Sequence, residues 1–251
     1  MKNINSDDVV IVDKYINAAS DTGTSNNHYK GLRIHALDGL HDYLARIVTE
    51  TLKPCGEVLA TAAGSGAMSL RLHDLGFNVT AVDIVPENFR LHGAIPFVRV
   101  DLNEDFSASL GKTFDAITAI EIIEHLENPR QFLRQCFKLL KPAGLLLLST
   151  PNTDSPVSRA MLVRFGTFQW FTDNDYKTEG HITVVTPWQL SKCAAEAGFE
   201  IVRKASYGDP FRQTRGWLKL GLFARFLQRF SLAEPGLDGE IFVMLLKRPT
   251  G

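Results

Sequence analysis

The sequence predicts an α/β fold in which a parallel sheet is covered by helices on both faces. Short apolar runs alternate with amphipathic stretches along the chain. The short runs are apolar throughout, which is typical of strands that are buried on both faces of a parallel sheet. Glycine and proline close most of these segments, so each strand and helix has a definite end. We expect the strands to be joined by right-handed crossovers.

The individual elements follow from hydrophobic spacing. Leu37, Leu40 and Leu44 recur at helical intervals and predict a helix over 36–52. By the same reasoning, the predicted strands are 57–62, 78–83, 96–100, 114–120, 145–149, 199–207 and 240–247, and the further helices are 67–75, 129–140 and 187–197. The pattern lapses between 152 and 186, a stretch too long for a plain connection.

Size and composition exclude several classes of protein. The chain has 251 residues, 45% apolar and 22% charged, which favours one domain with a real core over a disordered chain. Its 27 basic and 28 acidic residues leave a net charge of −1, which excludes a strong global field for nucleic acid or anionic membrane. Three cysteines without metal-type spacing indicate a reducing compartment. Without a signal-peptide core or an apolar run of the ~20 residues that span a bilayer, we expect a cytoplasmic protein.

A glycine-containing bend joins the first predicted strand to the helix that follows. Gly64 and Gly66 let the backbone approach a ligand closely. Asp83 ends the next strand, where a carboxylate can accept hydrogen bonds from both hydroxyls of a ribose, and Asp101 ends the third strand. This arrangement predicts a nucleotide site. A dinucleotide is less well matched because Ser69 stands where the third glycine of that motif belongs, and a tight turn with two solvated aspartates is the alternative without a ligand.

Together these motifs resemble those of the class I methyltransferases that use S-adenosylmethionine (SAM). The resemblance covers roughly 35–150 and 181–247. The segments that carry it are 57–66, 79–84, 101–103, 114–115, 120–126, 140–144 and 149–152. It implies a doubly wound, mostly parallel sheet of seven strands, of which the last in the chain is antiparallel.

The resemblance also implies a set of SAM contacts, in which the glycines pass beneath the amino-acid part and Asp83 holds the ribose. The full implied set is Ala62, Gly64, Gly66, Asp83, Ile84, Asp101, Leu102 and Glu121. The sequence departs from the family at Ala60, which replaces an aspartate, and at Ala62, which replaces a glycine. We expect Ala62 to have a negative φ or SAM to lie slightly further from the loop, and SAM binding to be weaker.

Ionisable side chains follow the fourth predicted strand. Glu121 should end that strand, Glu124 and His125 lie on the next turn, and His181 returns from a distant segment. In one interpretation His125 or a glutamate is a general base, with His125, Glu124 and His181 as the catalytic set. In a second, Glu121, Glu124, His125 and His181 bind a divalent ion such as Mg²⁺, Mn²⁺ or Fe²⁺. In a third, His125 caps a helix and Glu124 is solvated.

The Glu-x-x-Glu-His pattern resembles that of small-RNA 3′-terminal 2′-O-methyltransferases and ubiquinone-pathway O-methyltransferases. We therefore expect a SAM-dependent O-methyltransferase that acts on a hydroxyl of a small molecule or of a glycan or glycolipid intermediate. The pattern is also similar to that of bacterial enzymes of the quinone and surface-polysaccharide type. The alternatives are a catalytically silent scaffold with this fold, which the changes at Ala60 and Ala62 favour, and an RNA ribose 2′-O-methyltransferase. RNA is the lesser of these options because no extended basic surface is readable.

We expect residues 1–251 to form one domain with three additions. The resemblance implies that 1–35 form a lid over SAM. The aromatic-rich stretch 152–186 would build the acceptor pocket, or else a small hydrophobic cluster under a long loop. The insertion 208–239 is rich in aromatic and basic residues.

Residues 211–232, within that last insertion, carry basic residues and no acidic one. On a helical wheel Trp217, Leu220 and Phe223 share an apolar arc with Leu227 and Phe230. Such a helix could lie on the inner face of a membrane, pack on the sheet or form a dimer contact.

Overall fold

Strands form where the chain is apolar on both sides of the pleat, and they assemble into one sheet. The computed structural model describes residues 27–230 and 236–250. A short hairpin, β1 (His28–Tyr29) and β2 (Leu32–Arg33), precedes the sheet. The strands of the sheet are β3 (Glu57–Thr61), β4 (Asn78–Asp83), β5 (Phe97–Arg99), β6 (Phe114–Ile120), β7 (Leu140–Pro151), β8 (Glu200–Tyr207) and β9 (Ile241–Lys247). Their spatial order is β5-β4-β3-β6-β7-β9-β8.

The helices alternate with these strands. They are α1 (Leu40–Thr51), α2 (Ala67–Asp74), α3 (Pro129–Leu139), α4 (Pro156–Phe165), α5 (Asp173–Thr178), α6 (Pro187–Glu196) and α7 (Leu218–Gln228). Short 3₁₀ turns span Pro86–Asn88, Phe106–Ser109, Ile123–His125 and Arg212–Gly216. In the two described ranges, every helix falls short of the length and apolarity needed to cross a membrane.

The strands are apolar throughout because a hydrophobic core lies on each face of the sheet. Successive residues of a strand point to opposite faces, so Leu59 packs with the residues of α3 and α6, whereas Val58 packs with those of α1 and α2. Both residues are fully buried. Helices on both faces are the reason that the strands show no alternation of apolar and polar residues.

The strand directions confirm the expected fold class. β3 pairs in parallel with β4 and β6, and β6 pairs in parallel with β7. Within the seven-stranded sheet, β9, the last strand of the described chain, runs opposite to the other strands and pairs antiparallel with β7 and β8. The carboxyl ends of β3, β4 and β6 therefore lie along one edge, which is where open α/β sheets bind their ligands.

Two predicted boundaries were wrong by more than two residues. The first helix begins at Leu40 and not at 36, because Gly39 has a φ of 74° and sets the start of the helix. β7 begins at Leu140 and not at 145, because Leu140 already pairs with Phe114 before a shift in register, with Ala143 at a φ of 64°. The division into one domain with three additions stays a prediction, and residues 1–26 of the expected lid lie outside the described residues.

Candidate functional site

The bend after β3 has the backbone conformation of a glycine-rich loop even where glycine is absent. Ala62 has a φ of 50°, which excludes the first of the two expectations at this position, a negative φ; the second, that SAM lies slightly further from the loop, stays a prediction. Gly64 and Gly66 also have positive φ, at 51° and 92°. A Cβ at Gly64 would meet no atom within 4 Å, so the loop leaves open space above its middle residue. The loop shape that receives a ligand is thus retained although its first glycine is replaced.

Asp83 lies at the end of β4 and is bonded directly to this loop. One carboxylate oxygen accepts from the amide of Gly64 at 2.8 Å, and the other accepts from the amide of Val85 at 3.0 Å. Burial raises the pKa of Asp83, while the amides of Val85 and Gly64 act in the opposite direction. Each oxygen keeps a second lone pair, so the carboxylate can still accept from a ribose hydroxyl.

The remaining residues predicted for the nucleotide lie just beyond β4 and β5. Ile84 follows Asp83 and is half-buried, and its carbonyl accepts from Nε of Arg99 at 3.1 Å. Asp101 is two residues past the end of β5 and caps its own turn by accepting from the amide of Asn103. Leu102 is buried. The amide of Val100 bonds the carbonyl of Asp83 at 3.0 Å, so both strand ends reach the same edge.

A cavity of about 60 Å³ lies against the loop, and its far wall comes from residues that the sequence analysis missed. Arg33, His35 and His41 line it together with the loop residues Ala62 and Gly64. Arg33 is fixed by the loop, because the hydroxyl of Ser65 donates to its carbonyl. No motif marks these three residues, which precede the sheet and are brought to it by β2 and α1.

Glu121 follows β6 in a left-handed conformation, with a φ of 47°. The hydroxyl of Ser149 donates to its carboxylate at 2.7 Å. Burial and the negative charge of Glu240 raise the pKa of Glu121, and the bond from Ser149 opposes them. Non-glycine residues in this conformation are strained and cluster at functional sites.

Glu124 is fully buried next to two histidines. The hydroxyl of Thr150 donates to one of its carboxylate oxygens at 3.0 Å. The other oxygen, Oε1, lies 4.0 Å from Nε2 of His125 and has no hydrogen-bond partner among the described residues. Burial first, and then the carboxylate of Glu121, raise the pKa of Glu124 well above its ordinary value. A buried carboxylate oxygen without a partner is costly and points to a missing cation or proton.

His181 is brought to this group by the chain after α5. The amides of Ile182 and Thr183 donate to the carbonyl of Glu124, and the rings of His125 and His181 lie 4.8 Å apart. Nδ1 of His181 lies 2.7 Å from the carbonyl of Trp170. Because a carbonyl can only accept, Nδ1 carries a proton, and Nε2 is the ring nitrogen left for another partner.

Glu124, His125 and His181 each offer a ligand atom within 4.8 Å of one another. Glu121 is outside this group, since its carboxylate is turned to Ser149. The structure thus assembles three of the four residues expected at a metal site. Whether a metal binds there stays a prediction, as do the catalytic roles.

Comparison with known proteins agrees with this fold and site. A sequence model of the family described as "Methyltransferase domain" matches residues 31–204. A curated relative, the ubiquinone biosynthesis O-methyltransferase of Xanthomonas campestris pv. campestris (strain B100), is 38% identical over 138 residues. That match covers 52% of this chain and 56% of the relative, so the chain spans about half the length of the curated relatives it matches.

Solved structures share the fold at low identity. A SAM-dependent methyltransferase from Archaeoglobus fulgidus is 20% identical with a TM-score of 0.61, and the match covers 83% of this chain and 93% of that one. The [4+2]-cyclase SpnF is 15% identical with a TM-score of 0.60, and the match covers 98% and 97% of the two chains. That protein is named for a cyclisation, so a shared fold alone does not decide the reaction. The family match, the strand order and the loop after β3 nevertheless agree, and the chain belongs to the methyltransferase-domain family, with the class I fold.

Proposed function

We propose that this protein is a SAM-dependent O-methyltransferase that acts on a hydroxyl of a small molecule or of a glycan or glycolipid intermediate. The SAM site is the loop after β3 together with Asp83, Ile84, Asp101 and Leu102. Open space above Gly64 and a ribose-type acceptor at Asp83 fit this cofactor. Arg33, on the cavity wall beside the loop, is a suitable partner for the carboxylate of its methionine part.

The observation that carries the proposal is the unpartnered Oε1 of Glu124, which faces two histidines one strand away from the loop. β6 pairs directly with β3, so Ile120 shares a cavity wall with the loop residues. A group that takes a proton therefore lies beside the position of the methyl donor. A hydroxyl needs such a group, because it is a weak nucleophile until its proton leaves.

The transfer needs no further reactant. The acceptor oxygen forms a bond to the methyl carbon as the carbon–sulfur bond breaks, and S-adenosylhomocysteine leaves as a neutral thioether. The hydroxyl proton passes to Glu124 or to Nε2 of a histidine. The protein must hold the acceptor oxygen at about 3 Å from the methyl carbon and in line with the breaking bond.

A divalent ion fits the same residues, and we include it in the proposal. Glu124, His125 and His181 would hold it through one carboxylate oxygen and two imidazole nitrogens. With Glu121 outside the set, two imidazoles favour Mn²⁺, Fe²⁺ or Co²⁺ over Mg²⁺. The ion would supply Lewis-acid chemistry that lowers the pKa of the acceptor hydroxyl. The proton of His181 on Nδ1, held by a backbone carbonyl, matches the second hydrogen bond of a metal-bound histidine.

Calorimetry with S-adenosylhomocysteine tests the cofactor site first. We expect binding at micromolar affinity or better, which corresponds to about −8 kcal/mol. Asp83→Ala should weaken it at least tenfold, whereas Glu104→Ala, an exposed carboxylate nearby, should leave it unchanged. Equal affinity in both variants would show that Asp83 does not hold the ribose.

The catalytic group is tested separately with labelled SAM and 3,4-dihydroxybenzoate, a probe with two neighbouring hydroxyls. Glu124→Gln should lower kcat about 100-fold and leave S-adenosylhomocysteine binding intact. Glu127→Gln, at an exposed glutamate two residues after the turn that holds Glu124, is the matched control. Titration of Mn²⁺ into the wild type and into a Glu124→Ala, His125→Ala double variant tests the metal, and identical absence of binding would exclude it.

A silent scaffold remains the second candidate because Ala60 leaves the loop without its usual carboxylate. The positive φ of Ala62 weighs against it, since the protein maintains a strained loop conformation that a scaffold has no need of. A scaffold would bind neither SAM nor S-adenosylhomocysteine.

A further inference from the structure

Helices α4 and α7 form a pair beside the sheet, and each has an inner face that the other covers. Val157, Ala160 and Ala224 are buried between them, with Leu220 and Phe223 packed against the cluster. Part of the apolar arc that the sequence predicted for a membrane-surface helix is therefore buried against α4. Any external contact of α7 must use its other face.

That other face carries an exposed stripe of large apolar residues. Leu218, Leu222, Phe226 and Phe230 recur every four residues, so they follow one side of the helix. Their exposed fractions are 74%, 60%, 57% and 72%. Trp217, at the start of the helix, continues the stripe onto α4 by packing against Phe165, with ring centroids 5.7 Å apart. Contiguous exposed apolar residues of this size indicate an interaction surface.

The charged residues of α4 and α7 have a single sign. At 100° per residue, Lys219, Arg225 and Arg229 project on the same side of α7 as the stripe, and all three are exposed. Arg164 adds a cation on α4. Within the part of the chain that the structure describes, these four cations form no ion pair. The stretches 156–165 and 211–230 contain no acidic residue.

We propose that this stripe and its four cations form a docking surface for the surface of an anionic lipid bilayer, a property that goes beyond the proposed methyl transfer. Apolar side chains between cations are the pattern that binds a headgroup region, because the side chains enter the acyl boundary while the cations remain at the anionic headgroups. A second copy of this chain would instead oppose like charges across a two-fold contact. The charges therefore favour lipid over self-association.

The docking surface is joined to the acceptor side of the candidate site. α4 begins five residues after Pro151 ends β7, on which Thr150 bonds Glu124. The chain that leaves α4 reaches Trp170, whose carbonyl orients His181. An acceptor with a hydroxylated head and an apolar tail could thus be taken from the bilayer close to the site.

Sedimentation with vesicles tests the surface on the full chain. The wild type should bind vesicles that contain phosphatidylglycerol at low salt, and high salt should weaken this binding. Vesicles of phosphatidylcholine alone should bind much less. A Lys219→Glu, Arg229→Glu double variant should lower the partition coefficient about tenfold or more. A Leu222→Ser, Phe226→Ser double variant should lower it to a similar extent.

Trp188→Ser provides the matched control, because Trp188 is 70% exposed on α6 and outside the stripe. It should bind as the wild type does. The altered side chains are exposed, so circular dichroism should show the same fold in all variants. Absence of wild-type binding at low salt would overturn the proposal. A second result would also overturn it: a wild type that sediments as a dimer while the Leu222→Ser, Phe226→Ser variant sediments as a monomer. The stripe would then bind a second copy of the chain.

Discussion

At the scale of single residues, the most informative position is Ala62. A Cβ in the left-handed region costs roughly 1–2 kcal/mol relative to a relaxed conformation, and glycine removes this cost. Ala62 keeps a φ of 50° because the two residues that follow it are fixed: the amide of Ala63 bonds the carbonyl of Val82, and the amide of Gly64 bonds Asp83. The structure therefore imposes on alanine the shape that the family usually builds with glycine.

Replacement of Ala62 by glycine should stabilise the protein. We expect Ala62→Gly to raise the free energy of unfolding by about 0.5–1 kcal/mol, because relief of strain exceeds the extra entropy of glycine in the unfolded chain. Urea denaturation without ligand measures this change. Ala63→Gly is the matched control, since Ala63 is not among the residues with positive φ and should lose about 0.5–1 kcal/mol. Equal changes in the free energy of unfolding for the two variants would show that the backbone of Ala62 is not strained.

The burial of His41 leads us to expect that the stability of the protein depends on pH. It is 8% exposed, and its Nδ1 finds no hydrogen-bond partner in the described chain. Burial, then the charge of Arg71 and then His35, lower the pKa of His41 to about 4. Between that value and the ordinary pKa of about 6.5 the unfolded chain binds a proton that the folded protein does not, so stability falls as pH falls.

From pH 7 to pH 5, this histidine should remove about 2 kcal/mol from the free energy of unfolding. His41→Asn should abolish that part of the acid sensitivity, whereas His73→Asn, an exposed histidine on α2, should keep it. Denaturant unfolding at pH 7 and pH 5 measures the free energy of unfolding of the wild type and of both variants. The same slope in wild type and His41→Asn would show that His41 is not buried as a neutral group.

At the scale of elements, buried Glu240 joins segments that are distant in sequence. Its carboxylate accepts from Arg212 at 3.2 Å and from Nε2 of Gln169 at 3.3 Å. Arg212 belongs to the 3₁₀ turn before α7, and Gln169 to the chain after α4. Because Glu240 is fully buried and Arg212 is half-exposed, loss of Arg212 would leave a buried carboxylate without its cation, so this contact fixes both aromatic-rich segments to the start of β9.

Gly239, directly before that glutamate, is required by close packing. A Cβ there would lie 2.7 Å from the amide nitrogen and 2.8 Å from the carbonyl oxygen of Tyr207. Because these are backbone atoms, Gly239→Ala should cost about 1–3 kcal/mol or more by overpacking. Gly216→Ala, where the added Cβ meets nothing within 4 Å, should change stability far less. Thermal denaturation compares the two, and equal melting temperatures would contradict the close approach of β8 and β9.

The sequence predicts an element well when local residues determine it, and poorly when a contact with a distant segment does. Every strand of the sheet was predicted to within a few residues, except the start of β7, because burial on both faces leaves a local apolar run. The apolar arc of residues 211–232 was also visible. Its partner, α4, was not, because a helical wheel does not show which face another helix covers.

The residues of the candidate site were likewise predicted where a local motif marks them and missed where only the fold brings them together. Glu124, His125 and His181 were predicted as a group from motif resemblance, and the structure brings them together. Glu121 was placed with them because the sequence spacing cannot show that Ser149 binds its carboxylate. Arg33 and His41 were missed because a fold-level contact, and no local pattern, puts them beside the loop.

At the scale of the whole molecule, ligand binding should be visible as stability. S-adenosylhomocysteine at 100 times its Kd should stabilise the folded protein by about 2.7 kcal/mol, provided that it binds only the folded state. For a chain of this size we expect the melting temperature to rise by roughly 5–10 °C. Asp83→Ala should lose this shift at the same ligand concentration, and Glu104→Ala should keep it. A scaffold that does not bind the nucleoside would show no shift in any variant.

The position of β9 between β7 and β8 has a consequence for synthesis. Every other strand of the sheet is made before β9, and until its residues leave the ribosome both β7 and β8 expose an open row of amides and carbonyls. Such edges recruit strands from other chains, so the nascent protein is most vulnerable to aggregation in the interval before β9 is made. A ribosome that stalls and releases the chain before residue 241 would free an aggregation-prone fragment, so chaperone protection matters most in that interval.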